Sequence, residues 1–502
     1  MKENFRRYSL KKLLQGWTTV SNESEREVTG LCLDSRRILR GEVFVALQGI
    51  QTDGREFIDK AIKYGAAAIL CEDKGEHLEW TEYQQVPVFY IKDLAKAYGE
   101  IAAKFYDNPS KDLTVIGVTG TNGKTSTTHF IAHSLNRLGH RCGVIGTLGN
   151  GDIDKLQKAR YTTPDAIAVQ HCLFSLRAQG FTHVAMEVSS HALAQHRVNG
   201  VDFNVAVFTN LTHEHLDFHK TMEGYADAKR SLFENWDLDF SVINADDKTG
   251  SQWLRNYWSK KRVYAYSAEG KTVRQIVLEG DVPLVRAANV EFTSEGMSAH
   301  VITPWGTGLL NSVQVGQFNL SNLLGVLTVL CLLGERLDDV LEQFESLPQV
   351  TGRMQTFKIK DKPLVVIDYS HTPDALEKAL QALVQHRKGE LWCVFGCGGS
   401  RDKTKRPVMG KLAAKYSDYV VLTDDNCREE DPRDIVNDIL EGIPESKQAV
   451  VEHDRAKAIA YAISHAEADD IVLIAGKGHE DYQEINGERH YFSDIEEVKR
   501  LL

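Results

Sequence analysis

Paired cysteines, long apolar runs and an excess of positive charge are all missing from this 502-residue chain. The eight cysteines, at 32, 71, 142, 172, 331, 393, 397 and 427, form no Cys-x-x-Cys pair and keep no regular spacing. That excludes a small disulfide scaffold and leads us to expect reduced thiols and a cytoplasmic protein. No apolar stretch reaches the length of about 18 residues that a membrane span needs. Met1 to Lys12 carries charges without an apolar centre, so we expect neither a secretion signal nor a membrane anchor. The formal net charge is -11. A general nucleic-acid binder needs a basic footprint, so we expect no nucleic-acid partner and only a local phosphate site.

What is present is ordinary globular composition, with 42% hydrophobic and 26% charged residues. A chain this long exceeds one hydrophobic core, and we expect about three domains. Strand-like runs at Val43 to Leu47, Ala67 to Cys71 and Val88 to Ile91 alternate with helical patterns, followed by a helix over Asp93 to Tyr106. Asp107-Asn-Pro-Ser110 breaks that helix, which places the first domain at 1–96. Strands at Thr114 to Thr119, His183 to Val188, Asn204 to Thr209 and Ser241 to Asn244 then alternate with turn and helix signals. They define a second domain at 97–349 with a mostly parallel sheet. After Leu347-Pro-Gln-Val-Thr-Gly352 a third series runs through Leu364 to Asp368, Leu391 to Phe395, Tyr419 to Thr423 and Ile471 to Ala475, giving 350–502. The expected fold is α/β throughout. It comprises an N-terminal α/β domain, a central P-loop ATPase-like sheet and a C-terminal Rossmann-like domain whose strand ends offer ligand sites. No repeat of solenoid period and no low-complexity tract occurs.

The most specific segment is Thr114-Val-Ile-Gly-Val-Thr-Gly-Thr-Asn-Gly-Lys-Thr125, an apolar strand running into a glycine turn with a helix starting near Ser126. Glycines let backbone N–H groups converge on phosphate oxygens, and the helix N-terminus adds a favourable dipole. Lys124 reaches terminal phosphates and the Thr125 hydroxyl suits Mg²⁺, so ATP is the expected ligand. The spacing departs from the common P-loop, because Val118 stands five residues before Gly123. The plainer alternative is a tight strand-to-helix turn with an incidental lysine.

Two further strand ends carry chemistry. Met186-Glu-Val-Ser-Ser-His-Ala-Leu193 puts Glu187 at one, and Asn210-Leu-Thr-His-Glu-His-Leu-Asp-Phe-His219 follows the next. Carboxylate, imidazole and hydroxyl are suitable ligands for Mg²⁺ around phosphates. Histidines at 191, 213, 215 and 219 leave zinc as an alternative; the lack of a nearby cysteine and the phosphate loop favour magnesium.

The variant Gly-Thr-Asn-Gly-Lys-Thr resembles the Mur ligases and the similar folylpolyglutamate synthetases. Further elements appear in the same order along nearly the whole chain: Gln317-Phe-Asn-Leu-Ser-Asn322 with Asn319 and Asn322, Arg353 in Thr351-Gly-Arg353, and Asp368-Tyr-Ser-His-Thr-Pro-Asp374. The resemblance implies ATP and Mg²⁺ as cofactors, with ATP held by Gly120, Thr121, Asn122, Gly123, Lys124, Thr125 and Ser126, together with Asn322 and Arg353. It implies Thr125, Glu187 and His215 as metal ligands, although the family usually has Asp where Glu214 precedes that histidine. Tyr225-Ala-Asp-Ala-Lys-Arg-Ser-Leu-Phe233 is similar to the segment whose lysine becomes carbamylated, here Lys229, an anionic metal ligand once modified. Without the surrounding motifs Lys229 would be taken for a helix-surface lysine. Lys124, Lys229 and His215 are thus the implied catalytic groups.

Within the family, Leu33-Asp-Ser-Arg36 and Gly49-Ile-Gln-Thr-Asp-Gly-Arg55 resemble the uridine-binding loops of the tripeptide-forming ligases, implying Leu33, Ser35, Ile50, Gln51 and Thr52 as contacts. Taken alone, Asp34-Ser35-Arg36 would be a surface turn. Tyr161, Thr162, Thr163, Ser189, Gln195 and Arg197 match the contacts to UDP-muramyl-dipeptide. Gly398-Gly-Ser-Arg-Asp-Lys403, Asp425-Asn-Cys-Arg428 and Gly476-Lys-Gly-His-Glu480 resemble the site that selects meso-diaminopimelate. They imply Arg401, Asp425, Asn426, Cys427, Arg428, Gly476 and Glu480 as its residues. Where those enzymes read Asp-Asn-Pro-Arg, Cys427 replaces the proline, which frees φ and restores an N–H. Arg428 supplies planar two-point recognition of the distal carboxylate that L-lysine lacks; its plainer reading is a surface residue paired with Glu429 or Glu430.

The expected activity is ATP-dependent amide-bond formation in peptidoglycan precursor synthesis by a monomer. Rival expectations are an L-lysine-adding or other muramyl ligase, a folylpolyglutamate synthetase, a P-loop kinase or ATPase, and a module that binds ATP only as a structural ligand.

Overall fold

Short branched-apolar runs stopped by glycine and polar turns become strands, and longer runs with apolar residues every three to four positions become helices. A computed structural model describes residues 6–49, 52–73, 80–159, 161–257, 262–272, 282–293 and 295–502. By internal packing the chain forms two units. Met1–Thr119, His140–Ala206 and Glu223–Asp239 make the first, and Gly120–Gly139, Val207–Met222 and Phe240–Leu502 the second.

After a short antiparallel pair, Tyr8–Ser9 with Glu27–Val28, and the helix Leu10–Leu14, the first unit builds a sheet from β1 (Gly30–Cys32), β2 (Glu42–Ala46), β3 (Ala68–Glu72), β4 (Trp80–Tyr83) and β5 (Val86–Ile91), ordered β1-β2-β3-β5-β4 and parallel except for β4. Helix α1 (Leu94–Phe105) buries Leu94, Tyr98, Ile101, Ala102 and Phe105 among Val43, Val45, Leu70 and Phe89 of that sheet. Strand β6 (Thr114–Thr119) follows; the chain then enters the second unit as helix α2 (Lys124–Arg137). It returns with β7 (Cys142–Gly146), β8 (Gly149–Asp152), helix α3 (Ala166–Ala178) and β9 (His183–Glu187). Within this unit the strands run β8-β7-β9-β6, with β7, β9 and β6 parallel. The chain crosses once more within β10 (Val205–Phe208), and helix α4 (Met222–Glu234) belongs to the first unit from Glu223 onward.

In the second unit, β11 (Phe240–Asn244), β12 (Val263–Ser267) and β13 (Leu284–Thr293) pair in parallel, and β14 (Gly296–Thr303) and β15 (Gly306–Ser312) extend them antiparallel. Helix α5 (Gln317–Leu332) is apolar nearly all round and buried accordingly. The last sheet contains β16 (Gln355–Phe357), β17 (Leu364–Asp368), β18 (Leu391–Phe395), β19 (Tyr419–Leu422), β20 (Ala449–Val451) and β21 (Ile471–Ala475). Their order is β16-β17-β21-β18-β19-β20, parallel except for β16. Alternation splits its side chains between two cores. Leu364, Val366, Cys393 and Phe395 face one, with helices α6 (Pro373–His386), α7 (Lys405–Tyr416) and α8 (Pro432–Leu440). Val365, Ile367, Trp392 and Val394 face the other, with α9 (Arg455–His465) and α10 (Asp494–Leu501). A hairpin of β22 (Tyr482–Ile485) and β23 (Glu488–Tyr491) follows β21.

The strands β2, β3, β5, β6, β9, β10, β11, β17, β18, β19 and β21 coincide with the runs read from the sequence to within two residues, whereas β1, β4, β7, β8, β12, β13, β16 and β20 correspond to no run read there. The antiparallel strands β14 and β15 and the hairpin β22-β23 fall outside that alternating pattern. The eight cysteines are free thiols. Among the described residues no helix is long and apolar enough to cross a membrane.

Candidate active site

The phosphate loop depends on two glycines. Gly120 and Gly123 have φ of +155° and +84°. A Cβ would meet Thr209 Oγ1 at 1.8 Å from Gly120 and Asn322 Oδ1 at 2.6 Å from Gly123, so a side chain fits at neither. Between them Asn122 is anchored on every side. Its N–H donates to Asn210 Oδ1 at 2.9 Å, its carbonyl accepts from Thr209 Oγ1 at 2.6 Å, and its amide donates to Asp374 Oδ2 at 3.0 Å. Helix α2 begins at Lys124, two residues before the expected start, so its dipole favours an anion at the loop. The Lys124 ammonium folds over its own loop, donating to the carbonyls of Gly120 at 2.8 Å and Thr121 at 2.7 Å. Thr125 and Ser126 are buried.

Arg353 comes to the same place from the third series. Its Nη2 lies 3.5 Å from Thr125 Oγ1 and its guanidinium 4.7 Å from the Tyr369 ring centroid. Its Nε, like Nδ1 of His479, is buried without a hydrogen-bond partner among the described residues. Asn322 donates to Asn319 at 3.2 Å on α5. Burial first, then the neighbouring His133, Arg353 and His479, push His129 down to about 3. Burial and Arg353 push His479 down to about 4. His215, at φ +57°, starts the short helix Leu216–His219; it is exposed, with Nε2 3.6 Å from Glu214 Oε2.

The first unit gathers a second set. Glu187 closes β9 with only 1% of its surface exposed, accepting from the Thr147 N–H at 2.7 Å and the Thr147 hydroxyl at 3.2 Å. Thr147 Oγ1 also lies within hydrogen-bond distance of Thr162 Oγ1, at 3.1 Å, and Thr163 Oγ1 donates to the Glu187 carbonyl at 2.8 Å. The Ser189 N–H donates to Thr163 Oγ1 at 3.0 Å, and Arg197 donates to the Thr163 carbonyl at 3.1 Å. Arg197 pairs with Gln195 and lies 5.3 Å from the Tyr161 ring centroid. The tertiary fold therefore brings the matched residues from Tyr161 to Arg197 into one network. Lys229 on α4 is 1% exposed, with its ammonium 4.6 Å from the Tyr225 ring centroid; the helix-surface reading does not describe it. At the edge of the N-terminal sheet Ser35 is buried, Leu33 half-buried and Thr52 exposed. Asp34 takes two hydrogen bonds from the Arg36 guanidinium, which hold its carboxyl down at about 2. Ile50 and Gln51 lie outside the described residues.

The third set stands at the carboxyl ends of β18, β19 and β21, where the strand order reverses and open α/β sheets bind ligands. Asp425 and Asn426 are buried there, and Gly476, at φ +114°, follows β21; a Cβ on it would reach 3.1 Å from Asp425 Oδ2. Arg428 adopts φ +53°. Its N–H donates to the Glu484 carbonyl at 2.8 Å and its carbonyl accepts from Asn486 N–H at 2.7 Å, so the hairpin grips its backbone. Its Nη1 donates to the Gly399 carbonyl at 2.9 Å and its Nε lies 3.5 Å from Glu484. Glu430 is engaged elsewhere, by both Nη atoms of the buried Arg406 at 2.8 Å and by Lys403 at 2.6 Å. Cys427 is buried and Arg401 is exposed. Among the described residues no group of three or more histidine, cysteine, aspartate or glutamate side chains is arranged to hold a metal.

Sequence reasoning singled out neither Lys477 nor Asp374. Lys477 is fully buried between Asp425, Asn426 and Glu480, and its signal was a lysine flanked by glycines at a strand end. Asp374 lay inside a quoted motif, but only the fold brings it to Asn122.

Parallel strands with ligand-facing ends, and a glycine loop opening a helix, define a phosphate-loop α/β protein. The chain belongs to the Mur ligase family: the model for the Mur ligase middle domain matches residues 118–330, that for the Mur ligase glutamate ligase domain 352–478, and that for the Mur ligase family catalytic domain 27–106. Among its relatives, the UDP-N-acetylmuramoyl-L-alanyl-D-glutamate--2,6-diaminopimelate ligase of Coxiella burnetii is 45% identical over 95% of this chain and 96% of its own. The ligase of the same name from Chromobacterium violaceum is 47% identical over 93% of both chains. A solved structure of a ligase of that name matches with a TM-score of 0.72 at 35% identity, covering 99% of each chain. Folylpolyglutamate synthase of Mycobacterium tuberculosis, complexed with ADP and AMPPCP, shares the fold alone, at 15% identity and a TM-score of 0.60 over 75% of this chain and 91% of its own.

Proposed function

We propose that this chain is an ATP-dependent ligase that joins an amine of meso-2,6-diaminopimelate to the γ-carboxylate of D-glutamate in UDP-N-acetylmuramoyl-L-alanyl-D-glutamate, making a peptidoglycan precursor in the cytoplasm. The observation that carries this reading is the set of side chains at the ends of β18, β19 and β21, where the hairpin grips the backbone of Arg428, its guanidinium lies 3.5 Å from Glu484, and the neighbouring Asp425 and Asn426 are buried. A substrate with both a distal carboxylate and a distal ammonium fits such a set. Near-full-length relatives of that name support it.

In this reading residues 1–96 hold the uridine nucleotide through Leu33, Ser35, Ile50, Gln51 and Thr52. Residues 97–349 hold ATP and the muramyl dipeptide, and 350–502 hold the amino acid. The γ-phosphoryl group of ATP passes to the D-glutamyl carboxylate, giving ADP and an acyl phosphate. The amine, having lost its proton, attacks the acyl carbon and phosphate leaves. Lys124 and the α2 dipole offset the phosphate charge, Asn322 and Arg353 flank the nucleotide, and Tyr161, Thr162, Thr163, Ser189, Gln195 and Arg197 orient the dipeptide. The glycine cradle fits a polyphosphate, and the hydroxyl of Thr125, the carboxylate of Glu187 and the imidazole of His215 are donors suited to Mg²⁺. Bound Mg²⁺ would neutralise charge on the transferring phosphoryl group. Lys229, as a carbamate formed from its neutral amine and carbon dioxide, would add an anionic ligand.

The test is a coupled assay of phosphate release, expected to need both the UDP-muramyl-dipeptide and the diamino acid. In the same assay Arg428→Ala should lose about a hundredfold in kcat/KM for meso-diaminopimelate relative to L-lysine, the cost of leaving a carboxylate unpaired in a closed site. Phosphate release without the amino acid would refute the ligase reading. Equal use of L-lysine by the wild type would refute the choice of amino acid.

A further inference from the structure

Lys477 has no exposed surface, yet it is a cation with three hydrogens to donate. Three acceptors surround it: Asp425 Oδ1 at 3.2 Å, Asn426 Oδ1 at 3.1 Å and Glu480 Oε2 at 3.5 Å. The acceptors are themselves linked, since Asn426 Nδ2 donates to Glu480 Oε2 at 3.0 Å and Asn426 Oδ1 also accepts from the Glu484 N–H at 3.0 Å. Asn426 therefore spends most of its amide on its neighbours. The ammonium grips one oxygen of each carboxylate and so fixes where the second oxygen points. It also joins the loop after β19 to the loop after β21, two segments about fifty residues apart in sequence. Burial alone would raise the Asp425 carboxyl; Lys477 and Arg455 outweigh it and leave that group below its ordinary range.

We propose that Lys477 is the positioning residue of the amino-acid pocket, a buried ammonium that sets the geometry of Asp425, Asn426 and Glu480 and tilts the pocket toward an amino acid with a distal carboxylate and against one with a lone distal ammonium. The inference rests on the proposed diaminopimelate reading. Its electrostatic part is a difference argument: removing Lys477 makes the pocket one unit more negative, which acts alike on the distal ammonium that both amino acids carry but repels the distal carboxylate that only meso-diaminopimelate has. A residue that merely held the fold together would lower activity with both amino acids alike.

The experiment measures kcat and KM for both amino acids, for ATP and for the UDP-muramyl-dipeptide in full-length wild type, Lys477→Met and Lys477→Gln, with Tm measured on each. Met keeps the length without donors, and Gln keeps two donors without charge. The expected result is a KM for meso-diaminopimelate raised about tenfold or more, with the KM values for ATP and dipeptide changed less than about twofold. The preference for meso-diaminopimelate over L-lysine should fall by about tenfold or more, and the acid limb of kcat/KM should move to higher pH as the Asp425 carboxyl loses its cation. An unchanged preference in folded variants overturns the inference while leaving the ligase reading intact. Unfolding of both variants also overturns it, because Lys477 is then an ordinary core tie. A wild type that shows no amino-acid-dependent phosphate release sinks the reading on which the inference stands.

Discussion

A lysine in the middle of an amphipathic helix belongs at the surface unless something binds its ammonium. Lys229 on α4 is instead buried, 1% exposed beside the Tyr225 ring. A Lys229 side chain in bulk solvent would contradict a carbamate, and its burial agrees with one. Lys229→Ala is expected to lose about a hundredfold or more in kcat, the scale of a lost electrostatic group at a phosphoryl site. Added formate or acetate should restore part of that loss and leave the wild type unaffected. Near-normal turnover of the variant in the phosphate-release assay would remove Lys229 from the mechanism. The pattern Tyr225 to Phe233 marked the residue in the sequence, whereas its burial could be seen only once α4 was packed.

At the scale of elements, helix α2 carries both the end of the phosphate loop and, about one turn further along, His129. The ring of His129 is buried against His133, with Arg353 and His479 as the other charged or titratable groups facing it. Its folded value, about 3, lies below the ordinary 6.5, and His479 follows at about 4. A group whose folded pKa is depressed contributes stability that is complete above the unfolded pKa and lost as pH falls toward the folded one. Tm is therefore expected to be level above about pH 6.5 and to fall from about 6.5 down to about 4 through both groups, and on to about 3 through His129, as the unfolded chain takes up protons that the folded chain refuses. His129→Gln should flatten this slope, whatever its Tm at neutral pH; an identical slope in the variant would show that other groups govern the acid limb.

For the whole molecule, a ligand that binds only the native chain stabilises the part that holds it. A non-hydrolysable ATP analogue at about a hundred times its Kd should add about 2.7 kcal/mol to stability, read as a rise in Tm, and UDP-muramyl-dipeptide should raise Tm on its own. Lack of any shift with the nucleotide would refute the phosphate loop as an ATP site. The motifs that implied these ligands lie on strand ends from Thr119 to Gly476, which is why a parallel α/β reading and a nucleotide reading arrived together.

The α/β pattern, the phosphate loop and the family were legible in the sequence, because a strand period and glycines that tolerate positive φ are local properties and the order of short motifs is read straight along the chain. The sequence also marked Glu187, Arg353 and Arg428 one by one. Only the tertiary structure decided that Glu430 binds Arg406 while Arg428 faces the hairpin, that Asn122 meets Asp374 across 252 positions of sequence, and that Lys477 sits among three pocket residues. Those outcomes depend on which strand ends come together in the sheet and which side chains lose water there, and neither quantity is local.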